Sequence, residues 1–242
     1  TTPIASKNGQ CMETVETDLG TFHAVVFAKL PGREIEIEEL STAQFEVWGA
    51  TLGKLHALMH LYQDPTLSAR GTWRDHLTLA QNSLPKDEPR VQTEFDYLTS
   101  WLSALPVTET NYGLIHGDFE LDNLRWQDET LAMFDFDDCS YYWYVADIAF
   151  ALRDLFETGV EISNPSFRAF IRGYSEHASL DEELISHLPT WMRLVNLITY
   201  AKLVRAMDLA HDQDYPEWCT SLLLKLANKR QNYKASLLSI PL

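Results

Sequence analysis

The stretch from His116 to Asp138 reads HGDFELDNLRWQDETLAMFDFDD and holds the residues of this chain best suited to chemistry. Asp118 is followed five residues later by Asn123, and an apolar run then ends in Asp135, Asp137 and Asp138. A hard cation such as Mg²⁺ takes oxygen ligands and keeps several waters, so an Asn carbonyl with one or two carboxylates is an adequate protein share. Asp118, Asn123 and Asp135 could therefore surround one divalent metal and one reacting hydroxyl. Asp135 would supply charge and Asn123 a neutral oxygen. Asp118 would be left to accept a proton from the hydroxyl while the metal neutralises a transferring phosphoryl group.

Positioning these groups requires particular local structure. An extended chain rises about 3.3 Å per residue, so Asp118 and Asn123 can meet only if the segment between them is a loop. Gly117 and the polar Glu120 and Asp122 permit one. Residues 113–115 lead into His116, and residues 123–126 and 131–134 read as a hairpin around a turn at Asp128 and Glu129. Asn123 then stands at the hairpin's entrance and Asp135 at its exit.

Upstream, residues 10–28 read as two strands around a turn at 18–20, and the second, 22–27, is apolar enough to be expected buried. Pro31 and Gly32 break regular structure and suit a linker between lobes. Ser41 and Gln44 form a capping box, and Phe45, Trp48, Leu52, Leu55 and Met59 repeat at helical spacing, which predicts a helix over 42–62. Gly49 and Gly53 within it point to close helix packing. Residues 64–90 read as loop with a short helix around 73–81, followed by a helix that ends at Pro106. The aromatic run Tyr141 to Tyr144 suits core packing, with stacking on a cationic substrate as the alternative. From Asp147 onward the pattern is helical, at 149–156, 167–174, 191–211 and 218–233. The fold class is α+β, with a β-hairpin and hinge over 1–30 and a mostly helical body with a small catalytic hairpin over 31–242.

Composition narrows the function. The 242 residues are 45% hydrophobic, enough for a substantial core. Nineteen Lys and Arg against 35 Asp and Glu leave a formal charge of −16, which argues against nucleic acid and anionic lipid as partners and admits a cationic substrate. Cys11, Cys139 and Cys219 are far apart, so neither a disulfide framework nor a zinc site is expected, and a reducing, cytoplasmic setting follows. No apolar stretch approaches the roughly 18 residues that span a bilayer.

The His-Gly-Asp sequence with Asn five residues after the Asp, then a hairpin and the Phe-Asp-Phe-Asp-Asp run, resembles the aminoglycoside phosphotransferase and choline kinase family, relatives of the protein kinases. Leu52 to His56 and Asp147-Ile148-Ala149 also look like family features. The resemblance implies a protein-kinase-like fold and an ATP- and Mg²⁺-dependent transfer of phosphoryl to a hydroxyl of a small molecule, such as an aminoglycoside, choline or homoserine. It makes Asp118 the catalytic base, His116 an organiser of the catalytic loop, and Asn123 and Asp135 the magnesium ligands. Asp147 would hold the loop by accepting backbone hydrogen bonds, and the backbone of Phe27, Ala28, Lys29 and Leu30 would meet the adenine. Glu120, Asp122 and Asp137 are candidate substrate contacts.

One family feature has no counterpart. No glycine-rich loop precedes the hinge, and Lys7 lies only 22 residues before Lys29, leaving no room for a lysine strand, its partner helix and two further strands. With Thr1 at the start, the expectation is a truncated N-terminal lobe and weak ATP binding by the chain as it stands. Two other functions compete: a non-catalytic kinase-like binding module, and a metal-dependent hydrolase built on Asp135, Asp137 and Asp138. The second lacks accompanying His ligands.

Overall fold

The computed structural model describes residues 2–62, 64–156, 159–208 and 216–239. Two strands, β1 (Glu13–Thr17) and β2 (Gly20–Ala24), form an antiparallel ribbon that turns between Thr17 and Gly20, where the turn was expected. The burial expected for the second strand is not found. It ends at Ala24, and Phe22, Val26 and Phe27 are 53%, 60% and 53% exposed. A lone ribbon buries a face only if another layer lies on it, and among the described residues no layer packs across this one.

The body begins with α1 (Thr42–Leu61), α2 (Trp73–Ser83) and α3 (Pro89–Ala104). Four short strands follow: β3 (Tyr112–Ile115), β4 (Leu124–Gln127), β5 (Thr130–Met133) and β6 (Ser140–Trp143). The chain then runs through α4 (Tyr144–Ala151), α5 (Pro165–Ser175), α6 (Glu182–Ser186), α7 (Leu188–Ala206) and α8 (Glu217–Ser239). β4 pairs with β5 as the expected hairpin, and β3 pairs antiparallel with β6. Strand β6 was not anticipated, although its aromatic run has strong strand propensity. The helix expected over 149–156 starts earlier, at Tyr144, and breaks at Ala151 into a 3-10 turn at Asp154–Phe156. The helix expected over 191–211 ends at Ala206, and residues 209–211 lie outside the described residues.

α1 is the spine of the body. Ser41 and Gln44 form the expected capping box at its start, with the Gln44 amide donating to Ser41 Oγ at 3.3 Å and Gln44 Oε1 accepting from the Ser41 amide at 3.0 Å. Its two glycines lie against the backbone of α5. A Cβ on Gly49 would stand 1.9 Å from the Phe170 carbonyl oxygen, and one on Gly53 would stand 2.4 Å from that of Tyr174. No side chain fits there, so helix packs on helix at backbone contact and His56, one turn beyond Gly53, is carried into the core.

Trp143 is the hub of the aromatic core. Its ring lies 5.5 Å from Trp73, 5.2 Å from Tyr112 and 5.9 Å from Trp191, and its Nε1 donates to the Pro106 carbonyl at 2.8 Å. Tyr142, Trp143 and Tyr144 are all buried, which answers the question of the aromatic run in favour of packing, with only Tyr141 half-buried. α7 is joined to α3 by a two-pronged ion pair from Arg193 to Glu94, at 2.8 and 2.6 Å. Among the described residues no helix is long and apolar enough to cross a membrane.

The α1–α5 contact is directly testable. Gly49→Ala forces its methyl into backbone rather than into a yielding side chain, so it should lower unfolding stability by about 3 kcal/mol. Gly71→Ala, whose Cβ would meet Asp75 at an ordinary 3.6 Å, should change it by less than about 0.5 kcal/mol. Chemical denaturation of the two variants measures the difference.

Candidate active site

The segment between β3 and β4 folds back on itself as its residue types require. A 3-10 turn at Leu121–Asn123 reverses the chain, and Asn123 Nδ2 donates to both the carbonyl oxygen and Oδ2 of Asp118, each at 2.9 Å. Both protons of that amide nitrogen are thereby used. Its Oδ1 remains the atom of Asn123 open to a cation, and a hard ion accepts such an oxygen.

The loop hangs from one buried carboxylate. Asp147, in the first turn of α4, is fully buried and accepts from the amide of His116 at Oδ2 and the amide of Gly117 at Oδ1, both at 2.9 Å. His56 Nε2 donates to the same Oδ2 at 2.8 Å, and its Nδ1 lies 2.8 Å from the Tyr174 hydroxyl. Burial alone would raise the Asp147 carboxyl. The His56 hydrogen bond and charge, together with His116, outweigh it and hold the group below its ordinary value.

His116 is buried beside Asp118, and its partners define its tautomer. Nδ1 accepts from the Asp118 amide at 3.3 Å, while Nε2 lies 3.1 Å from the Phe134 carbonyl, which can only accept. The proton therefore sits on Nε2. The ring thus links the 116–123 loop to Phe134, just past the end of β5 and immediately before Asp135. Gly117 makes the close passage possible. Its φ is +81°, and a Cβ there would stand 2.4 Å from the Asp138 carbonyl oxygen.

Burial raises the Asp118 carboxyl, against the opposing charges of Lys202 and Arg153; Asp138 adds to the rise and the Asn123 amide opposes it. A group so placed accepts a proton more readily than an ordinary surface carboxylate. Lys202 on α7 is itself paired to Asp138 at 2.5 Å, and Arg153 is paired to Glu120. These two cations were not found from the sequence, because nothing in the spacing of α7 or of the segment after α4 marks them.

Asp135 stands at the exit of the hairpin with φ +66°, and the Phe134 amide before it donates to the Asn123 carbonyl at 3.1 Å. The entrance and exit of the hairpin are thus tied together. Asp135 and Asp137 line a cavity of about 710 Å³ whose opposite part is formed by Phe27, Ala28, Lys29 and Leu30, with Arg70 and Arg125 completing the wall. The proposed hinge and the acidic run therefore share one cavity, of a size common for small-ligand sites. Asp122 is exposed. Glu120 is held by Arg153 and is not a free charge for a substrate amine. Among the described residues no group of three or more His, Cys, Asp and Glu side chains is placed to hold a metal, and Asp138 is paired to Lys202.

Asp147 makes the expected linkage to pH. Its folded value is depressed, so its contribution to stability is complete above the unfolded value near 3.8 and is lost as pH falls through the folded one. Asp147→Asn orphans a buried amide and should cost about 3 kcal/mol at neutral pH. In urea titrations the gap to the unmodified protein should stay constant down to pH 4 and narrow only below it.

With this geometry in hand, comparison with known proteins is informative. The chain is 28% identical over 218 residues to amicoumacin kinase of Bacillus subtilis (strain 168), covering 86% of this chain but 65% of that protein's length. The solved structure of the amicoumacin kinase hAmiN, in complex with AMP-PNP, Ca²⁺ and Ami, superposes with a TM-score of 0.74 at 26% identity, over 95% of this chain and 71% of the other. A microcompartment-associated aminopropanol kinase shares the fold at a TM-score of 0.64 and 22% identity, over 98% of this chain and 76% of the other. The protein-kinase-like α+β fold expected from the sequence is thus present. Residues 7–182, most of the chain, match the model of the phosphotransferase enzyme family APH, and the chain belongs to that family.

Proposed function

We propose that the protein is an ATP- and Mg²⁺-dependent kinase that transfers phosphoryl to a hydroxyl of a small molecule. The observation that carries this reading is the pairing of Asp118 with Asn123 on a loop anchored by Asp147 and tied through the Asn123 carbonyl to Phe134, the neighbour of Asp135, which lines a cavity together with residues 27–30. Family membership and the likeness to two amicoumacin kinases support it.

The residues present fit a divalent cation. Asn123 Oδ1 is left open by the bonds of its own amide nitrogen, and the Asp135 carboxylate lines the cavity. When bound, Mg²⁺ would offset the charge on the transferring group. Asn123 and Asp135 would hold it, with phosphate oxygens and water completing the shell. Asp118 takes the proton of the acceptor hydroxyl, and its raised pKa suits that task. His116, with a proton on Nε2, keeps Asp118 in place through its amide. Residues 27–30 receive the nucleobase along their backbone, and Asp122 and Asp137 remain candidate contacts for the acceptor or the metal.

The substrate class proposed is a hydroxylated amine or antibiotic of amicoumacin's kind. Three free cysteines and the need for ATP fit a cytoplasmic location. The test is phosphate transfer from Mg-ATP across a panel containing amicoumacin, amino alcohols and aminoglycosides, followed by ³¹P NMR. Asp118→Asn should lower kcat by about 10³ with KM for ATP changed less than about threefold. Undiminished turnover in that variant rules the mechanism out.

A further inference from the structure

Asp135, two residues beyond the end of β5, holds φ +66° without being glycine. Such a backbone persists only where its surroundings over-determine it. On the upstream side the bond from the Phe134 amide to the Asn123 carbonyl accounts for this. On the downstream side the carbonyls of Phe136 and Asp137 both accept from one atom, Nη1 of Arg70, at 3.2 and 3.3 Å. Arg70 is 66 and 67 residues away in the chain, so nothing local demands the contact.

Arg70 is itself firmly placed. Its amide closes the 3-10 turn at Pro65–Ala69 by donating to the Leu67 carbonyl at 2.9 Å. The next residue, Gly71, accepts from the Tyr141 amide at 2.9 Å, and Thr72 bridges to Tyr141. Residues 70–72 therefore form a strap laid along the chain between Asp135 and β6. Among the described residues no ion pair joins Arg70 to a carboxylate, so its guanidinium serves these carbonyls rather than the charge of Asp135 or Asp137. A planar fork with two protons on one nitrogen reaches two neighbouring carbonyls in a way a lysine ammonium matches poorly.

We infer that Arg70 is a positioning residue for the metal-holding side of the site: by binding the Phe136 and Asp137 carbonyls it holds the turn after Asp135 and keeps that carboxylate in the cavity. The inference rests on the phosphotransfer reading of Asp135, and groups that orient a metal ligand commonly change metal affinity by ten- to a hundredfold when removed.

Two measurements on the full chain test it. In Mn²⁺ titrations followed by EPR with AMP-PNP present, Arg70→Met should weaken Mn²⁺ binding about tenfold, while Arg70→Lys recovers part of the loss. Thermal unfolding should shift by less than about 2 °C, because the side chain is exposed and far from the core. Hydrogen exchange without any ligand should quicken across residues 136–139 in Arg70→Met. Mn²⁺ affinity equal to that of the unmodified protein overturns the inference. If the unmodified protein binds no Mn²⁺ even at saturating AMP-PNP, the reading of Asp135 as a metal ligand falls, and exchange then decides the clamp alone, unchanged rates in Arg70→Met refuting it.

Discussion

A single buried carboxylate organises the site. Asp147 has no solvent to stabilise its charge, so its oxygens must be satisfied by protein donors or the charge would be lost. The donors it uses are the amides of His116 and Gly117 and the ring of His56. Because the two amides are consecutive, their orientation dictates the path of the chain into Asp118. Because the ring belongs to α1, the loop is also tied to the helical spine, and Tyr144 stacks on that ring at 4.7 Å to hold its plane. Packing of α1 on α5 thereby becomes a condition for the geometry of this loop, since Tyr174 of α5 bonds the other nitrogen of His56.

From this node the order passes outward by short bonds. His116 connects the loop to the end of β5, the Asn123 carbonyl connects the start of the hairpin to its end, and the Asn123 amide fixes Asp118. Beside these bonds, Gly117 and Asp135 take positive φ. The first is met by glycine, whose lack of a Cβ admits the Asp138 carbonyl. The second is met by an aspartate, a residue that tolerates the left-handed region, and is held from both sides. Geometry at the reacting end is thus set by hydrogen bonds that the flanking elements could not make if the hairpin register slipped by one residue.

Charge is distributed with similar economy. An acidic chain places few free carboxylates at its candidate site, because Asp138 and Glu120 are paired to Lys202 and Arg153. Those same cations oppose the rise that burial imposes on Asp118. The formal charge of −16 therefore says little about the local field at Asp118, where α7 and the segment after α4 deliver compensating positive charge. Among the described residues the carboxylates that line the cavity are Asp135 and Asp137, alongside Lys29, Arg70 and Arg125.

Much of the site was legible in the residues themselves. The loop between Asp118 and Asn123, the hairpin and the capping box all follow from short-range geometry, in which a few steps along the chain decide what can touch. The helical periods likewise came from local alternation. What only the tertiary structure decided are pairings across many residues: β3 with β6, Glu120 with Arg153, Asp138 with Lys202, and Arg70 with the carbonyls after Asp135. Such pairs leave no mark in spacing because their separation is set by how whole helices pack. Burial of the 22–27 stretch was misjudged for the same reason, since apolar composition says that a strand can be covered, and only the arrangement of other elements says whether it is.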